Sequence, residues 1–216
     1  DKEAIKKIVE TGWFSQGTES FKFEEEFASF MEKKYAIAVS SGSAAILLML
    51  DTLLQMGKLK PGDEIVTPAL SYITTVSSIF RLGLKPIFVI LDPTSPHYLT
   101  MDYNKTAKGL GKAKAILPVH FLGNTASRDL VNLSKTIIED ACNITRIDGR
   151  GYGMAQGWSF FPAHHMTTGE GGMITTDDKD FASICRSLRE YGRLCYVVCK
   201  FPRCPQVLNP EYLCPN

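Results

Sequence analysis

Residues 157–172, which read GWSFFPAHHMTTGEGG, decide how the chain is interpreted. The segments 158–161 and 172–176 are predicted strands, and the glycine-rich stretch 169–172 is a predicted turn between them. His164 follows Ser159 by five residues, and the sequence contains no lysine from residue 136 to residue 178. The reference pKa of imidazole, about 6.5, suits proton transfer. His164 is therefore a candidate catalytic base, although most histidines in apolar stretches are packing or surface residues.

The rest of the chain alternates predicted helices and strands. Helical periodicity and turn signals predict helices near 21–31, 43–56, 74–82, 101–110, 127–135 and 178–191. Short apolar runs predict strands at 35–40, 64–67, 85–91, 114–120 and 136–139. This alternation predicts the α/β class, with a mostly parallel sheet covered by helices on both faces.

Composition excludes several classes of function. The 216 residues are enough for one sizeable core, and the formal net charge is +1, from 24 basic and 23 acidic residues. Because these charges are mixed along the chain, we expect neither a nucleic-acid surface nor a membrane-binding one. No apolar run approaches the ~20 residues of a membrane-spanning helix, and residues 1–7 do not resemble a signal peptide. A cytoplasmic protein is the expectation.

Small residues follow the first predicted strand, where Val39-Ser40-Ser41-Gly42-Ser43-Ala44-Ala45 leads into a helix. In open α/β sheets, ligands bind beyond the carboxyl ends of the strands. The backbone N–H groups of Gly42, Ser43 and Ala44 are predicted to point at an anion at the positive end of the helix. Ser-Gly-Ser is also a common helix N-cap, so a purely structural role stays open.

Four segments in this order, 39–45, 67–75, 136–143 and 157–172, resemble the nucleotide-sugar aminotransferase and dehydratase family of pyridoxal-phosphate enzymes, the DegT-like family of fold type I. In that family a lysine binds the cofactor at the position of His164. The resemblance implies that Ser159 binds the cofactor phosphate together with the turn at Gly42. It also implies that Tyr72 packs on the pyridine ring and that Asp140 holds the pyridine nitrogen protonated. A buried tyrosine and a helix-capping aspartate are the alternative interpretations of these two residues.

A histidine in place of the lysine resembles the 3-dehydratases of this family. The resemblance implies a pyridoxamine 5'-phosphate or pyridoxal 5'-phosphate cofactor, a nucleotide-linked 4-keto-6-deoxyhexose as substrate, a place in deoxysugar biosynthesis and a homodimer. His164 would remove a proton from the cofactor, and the sugar 3-hydroxyl would leave. Glutamate would then regenerate the amine, or a [2Fe-2S] cluster and a reductase partner would deliver electrons.

The cysteines and the C-terminal end are less regular. Four of the six cysteines fall in the last 22 residues, and their spacing matches no standard zinc or ferredoxin pattern. Residues 193–196 resemble a segment of the iron–sulfur dehydratases, so Cys195 is a candidate cluster ligand, with unreactive thiols as the alternative. We predict a cofactor-binding large domain over 1–195 and a cysteine-containing tail over 196–216, without the smaller C-terminal domain of the family. A noncatalytic relative and a sugar aminotransferase are the competing functional interpretations.

Overall fold

The computed structural model describes residues 2–91, 93–94, 99–133, 135–145 and 151–193, and these ranges form a seven-stranded sheet flanked by helices. The α-helices are α1 (Lys2–Thr11), α2 (Thr18–Phe30), α3 (Gly42–Gln55), α4 (Ile73–Arg81), α5 (Tyr103–Gly109) and α6 (Lys179–Arg189), and a 3-10 helix spans Arg128–Leu133. The strands are β1 (Tyr35–Val39), β2 (Glu64–Pro68), β3 (Lys85–Val89), β4 (Ala115–Ile116), β5 (Thr136–Asp140), β6 (Ala155–Ser159) and β7 (Gly172–Thr176).

The sheet has the strand order β1-β7-β6-β5-β4-β2-β3 and is mostly parallel. Only β7 runs against its neighbours, pairing antiparallel with both β1 and β6, whereas the four other pairs are parallel. The carboxyl ends of six strands therefore lie along one edge, together with the beginning of β7. At this edge Gly172 is in register with Val39 on one side and with Ser159 on the other.

Helices cover both faces of the sheet, as the sequence predicted. Successive strand residues point to opposite faces, and in β7 Ile174 packs with α3 and α6 whereas Met173 packs with the aromatic residues of α2. The first face is closed by apolar side chains of α3, such as Met49 and Leu50, which are fully buried. The predicted α/β class is confirmed, with one hydrophobic cluster on the α3 side of the sheet and two on the other side.

Several predicted boundaries were wrong. The strand predicted at 158–161 lies at Ala155–Ser159, because its pairing with β7 ends at Ser159. The strand predicted at 114–120 has only two residues, and the helix predicted at 127–135 is the 3-10 helix. Helix α1 was missed although Ala4, Ile5, Ile8 and Val9 recur at helical spacing, and the helix buries none of its residues. The tail over 196–216 lies outside the described residues.

A buried ion pair covers the free edge of β1. Arg189 in α6 lies 2.6 Å from a carboxylate oxygen of Glu24 in α2, and both side chains are largely buried. The same Glu24 oxygen accepts from the backbone N–H of Ala38 at 2.8 Å, and Arg189 donates to the Ala38 carbonyl at 2.9 Å. The backbone of this edge strand is thus bonded by side chains, which blocks pairing with another strand.

Replacing Glu24 by Ala is expected to lower the free energy of unfolding by about 3 kcal/mol, because it leaves a buried guanidinium without its main partner. Glu190, whose carboxylate lies 3.2 Å from Arg189, supplies partial compensation. Urea denaturation measures the change. Glu25→Ala removes an exposed carboxylate from the same helix and is the matched control, with an expected change within about 0.5 kcal/mol. Equal stabilities of the two variants would contradict the assigned role of the ion pair.

Candidate active site

A cavity of about 340 Å³ opens at the carboxyl edge of the sheet and brings together six of the seven predicted site residues. They come from the start of α3, from the ends of β5 and β6, from the residue before α4 and from the loop after β6. Because these elements are far apart in sequence, the fold alone creates their proximity. The six residues are Gly42, Ser43, Tyr72, Asp140, Ser159 and His164.

Helix α3 begins at this cavity, so its positive end faces the space. Ser41 caps the helix, and its hydroxyl accepts from the N–H of Ala44 at 3.1 Å. Ala44, the seventh predicted residue, does not line the cavity, and its N–H bonds to the cap. Among the predicted groups, the N–H groups of Gly42 and Ser43 are thus the ones at the cavity wall.

The turn at Gly42 has no room for a side chain. A Cβ atom there would lie 2.6 Å from the Cys142 sulfur and 2.7 Å from the Ser159 Cβ. At Gly172 a Cβ atom would collide with the carbonyl of Ser41 and lie 2.8 Å from the N of Gly42. The two glycines therefore let the helix start pack directly against β6 and β7, next to the Ser159 hydroxyl.

Two serine hydroxyls flank this helix start. The Ser43 hydroxyl donates to Thr74 Oγ1 at 2.9 Å, which ties α3 to α4. The Ser159 hydroxyl accepts from the N–H of Phe161 at 3.3 Å. Two hydroxyls and helix N-terminal N–H groups are the donors that bind phosphate in proteins. This end of the cavity can therefore hold a phosphate group.

Asp140, 4% exposed, supplies a carboxylate to the same cavity. One carboxylate oxygen accepts from the Thr75 hydroxyl at 2.7 Å, and the other accepts from the backbone N–H of Cys142 at 3.1 Å. The Asp140 backbone bonds to Pro118 and His120, both at 2.9 Å, so the segment after β4 also holds it. The carboxylate is thus oriented through three segments of the chain.

Two neighbours of Asp140 stay neutral. Burial and the negative charge of Asp140 raise the pKa of the Cys142 thiol well above its usual value, which disfavours a nucleophilic role for it. Burial lowers the pKa of His120 to about 4, and its Nδ1 accepts from the N–H of Ala126 at 3.1 Å. His120 is therefore a neutral structural residue that holds the turn after Val119.

His164 lies in the loop after β6 and is half-buried, whereas His165 is exposed. The His164 N–H donates to the Phe161 carbonyl at 2.9 Å, and the two rings are in edge contact, with centroids 6.1 Å apart. This turn directs His164 to the cavity. His165 lines only a neighbouring open depression, which His164 borders as well.

Tyr72 is the N-cap residue of α4 and is 66% exposed. The interpretation of Tyr72 as a buried core tyrosine was therefore wrong. Its position at the cavity leaves the ring available for contact with a flat ligand.

The residues present fit a flat aromatic ring that carries a phosphate. The phosphate would bind at the start of α3, with the Ser43 and Ser159 hydroxyls, and Asp140 would face a protonated ring nitrogen. None of the described residues that line the cavity is a lysine, and His164 supplies an imidazole there. This set of groups can bind such a ring and move a proton, but it offers no amine for covalent attachment.

Sequence reasoning missed Thr74 and Thr75, although both stand in one of the segments that carried the family resemblance. Threonine is common at a helix start, and the hydroxyl contacts with Ser43 and Asp140 link segments that lie more than 30 residues apart. Glu170, which also lines the cavity, was noted only as part of the glycine-rich turn.

The predicted cluster ligand Cys195 lies outside the described residues, so the iron–sulfur prediction stays a prediction. Among the residues that the structure describes, no group of three His, Cys, Asp or Glu side chains is placed to hold a metal ion. Nor does any helix in the described part of the chain have the length and apolarity needed to cross a membrane.

Known proteins match both the sequence and the fold. The sequence profile of the DegT/DnrJ/EryC1/StrS aminotransferase family matches residues 1–197. The chain is 34% identical over 206 residues to the spore coat polysaccharide biosynthesis protein SpsC of Bacillus subtilis (strain 168), with 88% of this chain and 51% of that protein covered. It is 35% identical over 202 residues to GDP-4-keto-6-deoxy-D-mannose 3-dehydratase of Yersinia pseudotuberculosis, with the same coverage of 88% and 51%.

A crystal structure of GDP-4-keto-6-deoxymannose-3-dehydratase with a trapped PLP-glutamate geminal diamine superposes with a TM-score of 0.81 at 32% identity. The alignment covers 89% of this chain and 53% of that one. The chain thus spans about half the length of the curated relatives that it matches. The family profile, the identity to these relatives and the shared fold agree, and this chain belongs to the DegT/DnrJ/EryC1/StrS aminotransferase family.

Proposed function

We propose that this chain forms the cofactor site of a pyridoxamine-phosphate-dependent 3-dehydratase that acts on a nucleotide-linked 4-keto-6-deoxyhexose. The observation that carries the proposal is His164 at the wall of a cavity whose described lining includes no lysine. The Yersinia relative and the protein in the similar crystal structure are both named as 3-dehydratases, which supports the proposal. Because an imidazole cannot form an imine, a cofactor held here is bound without a covalent link.

Binding and orientation come from three parts of the cavity. The N–H groups of Gly42 and Ser43 and the hydroxyl of Ser159 hold the phosphate, because the positive end of α3 favours an anion. The Tyr72 ring would contact one face of the pyridine ring. The Asp140 carboxylate, fixed through Thr75 and Cys142, holds a proton on the ring nitrogen.

Proton transfer is the task of His164. Pyridoxamine phosphate, when bound, supplies a primary amine that condenses with a ketone and a ring that accepts electrons. The imidazole of His164 would serve as the general base at this position, and the proton it takes up would be available to the departing 3-hydroxyl, which leaves as water. The turn that bonds the His164 N–H to the Phe161 carbonyl holds the ring at the cavity for this step.

The test uses the purified chain with pyridoxamine phosphate and, in separate reactions, GDP- and dTDP-linked 4-keto-6-deoxyhexoses. We expect loss of the 3-hydroxyl, which NMR and mass spectrometry of the sugar nucleotide would detect. Conversion of the 4-keto group to an amine would instead support the sugar aminotransferase interpretation. Cofactor binding without either reaction would support a noncatalytic relative.

The partners and the location of the protein need separate tests. A nucleotide sugar is the proposed substrate, and the homodimer, the reductase partner and the cytoplasmic location stay predictions. Sedimentation of the purified chain measures the oligomeric state. Iron and sulfide analysis of anaerobically prepared protein tests the [2Fe-2S] cluster at Cys195.

A further inference from the structure

The Thr75 hydroxyl makes a buried contact that neither the sequence motifs nor the comparisons assign. Thr75 is fully buried in the first turn of α4, and its hydroxyl donates to the Asp140 carboxylate at 2.7 Å. The two residues are 65 positions apart, so the contact joins α4 directly to the end of β5. Hydrogen bonds to a charged acceptor are short and strong, particularly away from water.

Three other buried hydroxyls in helices of this chain bond to the preceding helical turn. Thr52, Ser78 and Thr106 each donate to the carbonyl four residues earlier in the chain, at 2.6–2.8 Å. Such bonds to the preceding turn are the usual way to satisfy a helical hydroxyl. The Thr75 hydroxyl instead donates across the sheet edge to a carboxylate in the cavity.

The start of α4 contacts several of the groups that line the cavity. Tyr72 caps the helix and lines the cavity, and its carbonyl accepts from the N–H of Thr75 at 3.1 Å. Thr74 bonds to Ser43 beside the proposed phosphate position. One helical turn therefore contacts the phosphate end, the ring face and the carboxylate of the site.

We propose that Thr75 is a positioning residue that orients the Asp140 carboxylate toward the ring nitrogen of the cofactor; this inference rests on the proposed function. The Cys142 N–H fixes one carboxylate oxygen, and the Thr75 hydroxyl fixes the other. With both bonds present, rotation about the Cβ–Cγ bond of Asp140 is restricted. Without the hydroxyl, the carboxylate has only one anchor and loses its alignment with the ring nitrogen.

The test combines Thr75→Val, which keeps the shape but removes the hydroxyl, with a change in the ligand. Dissociation constants are measured for pyridoxamine phosphate and for its 1-deaza analogue, in which carbon replaces the ring nitrogen. The unmodified chain is expected to prefer pyridoxamine phosphate. In Thr75→Val this preference is expected to fall by roughly three- to tenfold, because the carboxylate is no longer aligned with the ring nitrogen. The two proteins and two ligands form a double-mutant cycle, which isolates the coupling between the hydroxyl and the ring nitrogen.

Thr75→Ser retains a hydroxyl and is expected to restore the preference for pyridoxamine phosphate. Ser78→Ala is the matched control, because it removes a buried hydroxyl that bonds within the same helix, to the Thr74 carbonyl. This control is expected to leave the preference unchanged. An equal loss of affinity for both ligands in Thr75→Val would mean a purely structural role, and an unchanged preference would also overturn the inference. If the unmodified chain does not distinguish the two ligands, the contact between Asp140 and the ring nitrogen is wrong and the proposed function fails with it.

Discussion

Replacing His164 by Asn is expected to lower the rate of sugar dehydration by about 10²–10⁴-fold, the usual contribution of a general base. The amide has a similar size but does not accept a proton at neutral pH, so the carbon next to the amine stays protonated. His164 is half-buried in a loop, and its backbone N–H bonds to the Phe161 carbonyl whatever the side chain is. We therefore expect the fold and the binding of pyridoxamine phosphate to be retained.

The measurement is the single-turnover rate of 3-hydroxyl loss, together with deuterium exchange at the carbon that bears the amine. The matched control is His165→Asn, because His165 is exposed and does not line the cavity. We expect this control to react at the unmodified rate. An undiminished rate in His164→Asn would remove His164 from the mechanism.

His164→Lys tests the same position by gain of function. A lysine there presents an amine at the cavity wall, where an aldehyde on the bound ring can form an imine. We expect this variant to retain pyridoxal phosphate covalently after borohydride reduction, measured by mass spectrometry, whereas the unmodified chain releases it on dialysis. Covalent trapping in the unmodified chain would identify another attachment residue and contradict the proposal.

The fold could be predicted from the sequence because its signals are local. Apolar runs such as 136–139 and 172–176 mark strands that are buried on both faces, and helical periodicity marks α2 and α3. The antiparallel direction of β7 was not predicted, because direction depends on how a strand pairs and not on its composition. Helix α1 could have been predicted as well, because Ala4, Ile5, Ile8 and Val9 form an apolar stripe, but that stripe is not buried in the structure.

The candidate site could be predicted in part. Gly42 was predicted from the small-residue turn that leads into a helix, and Ser159 and His164 from the family resemblance, and the structure brings all three to one cavity. Ala44 was assigned to the anion site from spacing, but the geometry of the N-cap directs its N–H to Ser41. Thr75 could not have been found in this way, since a hydroxyl contact across 65 residues leaves no periodic or spacing signal.

Asp140→Asn is expected to lower turnover at least about 100-fold, comparable to the loss of one preorganised electrostatic contact to a transition state. In the proposed mechanism the carboxylate keeps the ring nitrogen protonated, and a neutral ring would be a poorer acceptor for the electron pair left behind when His164 removes a proton. The substitution should leave the fold intact. The introduced amide can accept from the Cys142 N–H through its oxygen and donate to the Thr75 hydroxyl, which rotates to accept.

The binding of pyridoxamine phosphate should survive in this variant, because the proposed phosphate ligands are Gly42, Ser43 and Ser159 and do not include Asp140. The expected pattern is therefore a large loss in kcat with a small change in the dissociation constant of the cofactor. Asp180→Asn, which changes an exposed carboxylate of α6, is the control and should turn over normally. Full activity in Asp140→Asn would show that the electron pair is stabilised without this carboxylate, and the cavity would then need another source for the proton on the ring.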